Sequence, residues 1–233
     1  MQRLNRVLPA DIKLHGIGLA PNGILPIQRE KGLPWHAIEN SISKHYSYRF
    51  STSRFVDPFD YRYCANCFDK DHQYGLNTEL FQQALDCLAG THDFKAFGNR
   101  LEQRAKLSEE YSGVRFSSIR TINRAKLSLE ENSYLPLRHY RSHQSAAAMC
   151  TTSLDLLTYR VDIELDGALY KMIRNIIAAC LAVSRGTLSL ETLRYLLQEA
   201  PSRESTGLVT APACGLCLES VEYQEMLSFD EPR

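Results

Sequence analysis

The sequence predicts an α+β fold, a mixed and largely antiparallel sheet carrying helices on one face. Three patterns predict it. Tyr159, Val161, Ile163 and Leu165 alternate with Arg160, Asp162, Glu164 and Asp166, the period of two of a strand with one buried face. After Gly167 the period changes, and Leu169, Met172, Ile173, Ile176, Ile177, Cys180 and Leu181 form one apolar helical stripe. Ala125, Leu127 and Leu129 alternate with Lys126, Ser128 and Glu130 as a second strand, and Leu80, Phe81, Ala84, Leu85 and Leu88 as a second helix.

At 233 residues, 44% of them hydrophobic, the chain is long enough to bury a sizeable core, as one large domain or two small ones. Lys plus Arg and Asp plus Glu number 27 each, so net charge offers nucleic acid no general attraction, and RNA binding requires a local basic face. The N-terminal run lacks the apolar core of a signal peptide, and nothing approaches the roughly 18 apolar residues of a membrane span. An intracellular protein without membrane contact is expected. Seven cysteines, an odd number, fit reduced thiols better than a disulfide framework.

Taken in order, Ile12, Leu14 and Ile17 can begin a strand, and residues 20–45, with Pro21, Gly23, Pro26, Gly32 and Pro34, read as a loop or insertion. Phe59, Tyr61 and Tyr63 alternate with Asp60, Arg62 and Cys64, which predicts a short strand with aromatics on one side. Asn77 is the N-cap of the helix that ends at Gly90. Charges of both signs over 99–118 read as a solvated loop or helix. Residues 132–153, with Arg138, His139, Tyr140, Arg141 and His143, read as an insertion between strands. Ser189 caps a short helix carrying Leu190, Leu193, Leu196 and Leu197. Cys64-Ala65-Asn66-Cys67 and Cys214-Gly215-Leu216-Cys217 have the spacing of a four-thiolate zinc site. On strands, however, residues i and i+3 point to opposite faces, which favours small buried thiols over a metal site. On the helix 169–181, Arg174 leaves the side opposite the stripe, with Lys171, Asn175 and Ala178; by spacing alone it is an ordinary solvated charge.

What gives Arg174 a role is resemblance. LYKMIRNIIAACLAVSRGTLSLETL is similar to the hallmark helix of the TruA-type tRNA pseudouridine synthases, and four further runs follow that family's order: Tyr61-Arg62-Tyr63, Gly90-Thr91-His92-Asp93-Phe94, Arg120-Thr121-Ile122, and Thr210-Ala211-Pro212-Ala213-Cys214-Gly215-Leu216-Cys217-Leu218. Leu4 to Ile12 resembles its L-N-x-x-L-P-x-D-I run, and Tyr46 to Ser51 is similar to F-H-A-R-F-S with serine in place of histidine. Ala168 and Ala178 depart from an aromatic and a glycine that are usual there. The resemblance implies a pseudouridine-synthase-like fold, uridine isomerisation in tRNA without metal or cofactor, and a homodimer in the full-length form. It implies that Arg174 pairs with the catalytic aspartate, that Tyr61 lies against the target base, and that Leu216 and Leu218 wall the uracil pocket. Phe94 and Phe97 pack inside, and His92 and Asp93 have no catalytic part.

In the family the aspartate lies in R-T-D-x-G-V-H, ahead of L-N-x-x-L-P, and no such run occurs between Met1 and Arg233. The resemblance therefore implies an N-terminally shortened synthase. Residues 1–45 are then the remnant of an N-terminal α/β domain plus an insertion, and residues 46–233 the C-terminal pseudouridine-synthase domain. The alternatives are a non-catalytic RNA-binding or partner subunit and, third, a zinc-stabilised module.

Overall fold

The computed structural model describes residues 2–16, 23, 26–32, 35–38, 40–54, 56–58, 60–71, 76–111, 116–130 and 157–223. The 132–153 insertion and Ile17 lie outside the described residues. The chain divides into two compact units, Met1–Ile42 with Val221–Arg233, and Ser43–Ser220. In the first, helices α1 (Gln2–Val7) and α2 (Pro26–Lys31) stand among irregular segments. Residues 12–16 form no strand, because the Asn5 side chain takes both polar groups of Leu14, at 2.7 and 2.9 Å. Gln28 and Asn40 pair their amides at 3.0 Å, and the Trp35 and Tyr223 rings lie 5.0 Å apart.

The second unit holds the sheet. Its strands are β1 (Ser41–Ser51), β2 (Ala65–Asn66), β3 (Gly90–Asp93), β4 (Ile119–Glu130), β5 (Thr158–Leu165) and β6 (Leu216–Tyr223). The order is β2-β1-β5-β4-β3, with β6 also pairing β1; β1–β5, β5–β4 and β4–β3 are antiparallel, and the short β1–β2 pairing is parallel. The expected mixed, mostly antiparallel sheet is thus present.

Helices α3 (Thr78–Leu88), α5 (Met172–Ser184) and α6 (Leu190–Gln198) bury the apolar face. Asn77 accepts from Leu80 N–H at 3.0 Å and Ser189 from Thr192 N–H at 3.0 Å, so two predicted N-caps satisfy otherwise orphaned donors. Phe81, Leu85 and Leu88 of α3 lie in the same buried cluster as Phe50, whose ring stacks on Phe81 (5.6 Å) and Tyr159 (5.4 Å). Full burial of each such side chain contributes roughly 1.5–3 kcal/mol. Phe94 and Phe97 are wholly buried beside a 3-10 turn, as expected. Helix α4 (Leu101–Tyr111) resolves the mixed-charge segment into a helix.

The opposite face carries ions. Arg160 contacts Asp162 and Glu219 at 2.9 Å, Arg49 contacts Glu130 at 2.7 Å and Asp60 at 3.5 Å, and His45 meets Asp162 at 2.9 Å. Beyond β3 the free edge of β4 is met by α3, where Gln82 accepts from Leu127 N–H at 2.9 Å and donates to Ala125 O at 3.2 Å.

One predicted strand is corrected. Residues 60–63 form turns, with Asp60 N–H donating to Asp57 O at 2.9 Å and Tyr63 N–H to Asp60 O at 2.8 Å; Phe59 lies outside the described residues. Aromatic alternation misled here, because local backbone bonds take the groups a ladder would need.

Candidate functional site

Arg174 leaves the first turn of α5 and is half-buried. Its Nε donates to Ala211 O at 2.7 Å, and Ala211 N–H donates to the Arg174 carbonyl at 3.3 Å. This reciprocal clamp fixes the guanidinium stem and leaves its terminal amines for an acceptor. Among the described residues no carboxylate forms an ion pair with it.

The segment that provides Ala211 is itself held from two sides. Asn175, fully buried, donates to Phe97 O at 2.6 Å and to Asn99 Oδ1 at 2.8 Å, and accepts from Thr210 Oγ1 at 2.7 Å. Sequence reasoning placed Asn175 on the polar side with Arg174. The available signal was its spacing, three residues after Met172 and four before Ala179, both fully buried. On the other side the Tyr48 hydroxyl donates to Pro212 O at 2.8 Å, and Arg49 N–H donates to Gly215 O at 2.9 Å. Burial drives the Tyr48 phenol well above its ordinary pKa, so it stays a neutral donor. Tyr48 occupies the alanine position of F-H-A-R-F-S and was not singled out from the sequence. A Cβ on Gly215 would lie 2.3 Å from Arg49 O and 3.0 Å from Tyr48 Cζ, which explains the glycine.

Leu216 is half-buried against the core and Leu218 is 49% exposed, so of the two only Leu216 packs inward. Tyr61 lies on the turn at 59% exposure, its hydroxyl accepting from Arg62 Nε at 3.2 Å. The turn runs on through Cys64 to Ala65, whose Cβ is 3.2 Å from the Gly215 Cβ position. Arg174, Tyr48 and the 210–216 segment are thus one cluster, and Tyr61, bonded to Arg62, makes no hydrogen bond with it among the described residues. His92 bonds only to the Ala89 carbonyl, at 2.9 Å, and Asp93 accepts from Lys95 N–H at 3.0 Å.

Cys64 and Cys67 flank β2 and are buried, which pushes their thiols up to about 11 and about 12; Cys214 and Cys217 are exposed. Cys214 Sγ lies 3.8 Å from the Cys64 carbonyl rather than from a shared centre. Among the described residues no three His, Cys, Asp or Glu side chains are grouped to hold a metal ion, and no helix is long and apolar enough to cross a membrane. An open hollow of about 510 Å³ lies between α3 and β4, lined by Thr78, Gln82 and residues 124–127, and shares no residue with the Arg174 cluster.

Residues 84–224 match the family described as tRNA pseudouridine synthase, more than half of the chain. The tRNA pseudouridine synthase A of Oenococcus oeni is 28% identical over 232 residues, 97% of this chain and 75% of that protein. Those of Chlamydia pneumoniae (29%) and Chlamydia trachomatis (30%) align over 220 residues, 94% of this chain and 62% of theirs. The chain therefore spans between 62% and 75% of the length of these relatives.

Proposed function

From the premise that this chain belongs to the tRNA pseudouridine synthase family, we propose that it provides the arginine side of a site that isomerises uridine in tRNA. In the reaction the bond between C1′ of the ribose and N1 of uracil breaks, the base turns, and C1′ rejoins at C5. The C5 proton leaves and N1 ends protonated, so the change is an isomerisation with no net redox. A carboxylate must form or stabilise the intermediate. Arg174 is the group that would hold it ionised by charge-assisted pairing.

The carrying observation is the clamp between Arg174 and Ala211, at 2.7 and 3.3 Å. It immobilises a half-buried guanidinium whose remaining donors meet no described carboxylate and are free to pair with an anion. Leu216 supports the reading as an apolar wall beside the same segment, and Tyr61 as an exposed ring on which an extruded base can stack. In this reading tRNA is the substrate and the assembled enzyme a homodimer.

The test is tritium release from tRNA labelled at uridine C5, using the chain preceded by an R-T-D-x-G-V-H segment. Arg174→Ala is expected to reduce release by about 100-fold or more, and Arg174→Lys to recover only part of it. Full activity of Arg174→Ala would sink the reading.

A further inference from the structure

We propose that the end of the sheet where β5 passes into α5 is a docking surface for an RNA phosphodiester backbone, formed by Lys44, Arg100, Arg104, Arg120 and Lys171 around the ring of Tyr170. The identification of that RNA as tRNA rests on the function proposed above; the surface itself stands on its own geometry.

Register brings the strand residues together. Lys44 of β1 and Ile122 of β4 are both Cα partners of Leu165, and Asp166 N–H donates to Thr121 O at 3.1 Å. Lys44 and Arg120 therefore flank the end of β5 on its two neighbours. Period two puts Lys44 on the side of Tyr48 and Phe50, and Arg120 on the side of Ile122, the helix-covered face. Arg120 is steadied by the carbonyls of Ser117 (2.9 Å) and Ile119 (2.5 Å). Burial, and then the Arg120 and Arg104 charges, hold the Lys44 ammonium below its ordinary pKa. Burial also lowers Arg120; Asp166 opposes that shift and Arg104 adds to it.

Tyr170, 41% exposed, continues the surface. The Arg100 guanidinium lies 5.5 Å from its ring centroid and the Lys171 ammonium 5.6 Å, and Asn99 N–H donates to Tyr170 O at 2.9 Å. Three described non-glycine residues have positive φ, and two are Arg100 (55°) and Lys171 (63°). Such backbone strain accumulates at functional surfaces. None of the five cations forms an ion pair with a described carboxylate; Asp166 is the acid whose charge acts on Arg120.

Five cations outside any described ion pair, with Asp166 the one acid acting on Arg120 and an exposed ring among them, suit a string of phosphates with an unstacked base. An acidic protein would provide no base for Tyr170. Lys171 is the N-cap residue of α5 and Arg174 lies in its first turn, so both belong to the start of one helix.

Filter binding of an unmodified tRNA transcript over a range of potassium chloride tests the surface. Arg100→Ala with Lys171→Ala, and separately Lys44→Gln with Arg120→Gln, are each expected to weaken binding about tenfold or more and to reduce the salt slope by about 1.5. Arg194→Ala, on the exposed side of α6, is expected to leave the slope unchanged, and polyglutamate to displace tRNA poorly. The Arg100/Lys171 pair keeps the test valid should the more buried pair perturb folding. Absent binding by the parent chain, an unchanged slope in both double variants, an equal loss in Arg194→Ala, or efficient displacement by polyglutamate would each overturn the proposal. Arg174→Ala in the tritium assay bears on the other reading alone, so the two fail separately.

Discussion

Two groups of charges sit on the same sheet and are wired in opposite ways. On the open face, Arg49 and Arg160 are direct cross-strand partners, a repulsive placement in isolation. Glu130 relieves it, 2.7 Å from Arg49 and 4.0 Å from Arg160, with Asp60, Asp162 and Glu219 completing the network. At the α5 end of the covered face, Lys44, Arg104 and Arg120 act on one another, and Asp166 opposes them at Arg120 without forming an ion pair. The balance of 27 cationic and 27 anionic residues is thus an average over a neutralised network and a cationic edge. A zero net charge does not describe either.

The strongest way to break this contrast is to reverse one charge in each group. Arg160→Glu confronts Asp162, Glu130 and Glu219 with a fourth acid and is expected to cost about 2–3 kcal/mol in urea unfolding, a discount having been made for partial exposure. Arg120→Glu is expected to cost no more than about 1 kcal/mol, since it also relieves Lys44 and Arg104. Equal losses would mean that the two groups do not differ in wiring. A smaller effect comes from pH. Burial alone would raise the Asp162 carboxyl, but the Arg160 and His45 hydrogen bonds outweigh it and hold the group below the ordinary 3.8. Its stabilisation is therefore complete above the unfolded value and is lost as pH falls through the folded one. An Asp162→Asn variant should show a shallower acid decline in thermal midpoint than the parent below about pH 4. The smallest effect expected is for Lys171→Gly: relief of positive φ raises stability by about 0.5–1 kcal/mol while tRNA affinity falls. A loss of stability together with the loss of affinity would mean that the backbone at Lys171 is not strained.

The sequence made the strand-to-helix change at Gly167 legible because both periods are long and uninterrupted, and it made the caps at Asn77 and Ser189 legible because each is followed by a clear stripe. Strand β1 escaped notice. Only Tyr48 and Phe50 there carry a fully buried apolar side chain, while Lys44 and His45 are polar side chains on two different faces. Residues 60–63 showed the reverse error, a period of two realised as turns. Arg174 was legible through its motif, but its anchor on Ala211 depends on a contact 37 residues distant. Asn175 was misread because hydrogen bonds to Phe97, Asn99 and Thr210 offset the burial of its amide, and no local pattern encodes them.

The Gln82 amide on β4 has a consequence for assembly. By occupying Leu127 N–H and Ala125 O it uses up the pair of ladder groups that an incoming strand would seek first. Another chain cannot extend the sheet there without first prising that side chain away and leaving a partly buried amide unsatisfied. Subunits that pair will find this flank sealed, and the plug protects a freshly made chain from zippering onto its neighbours.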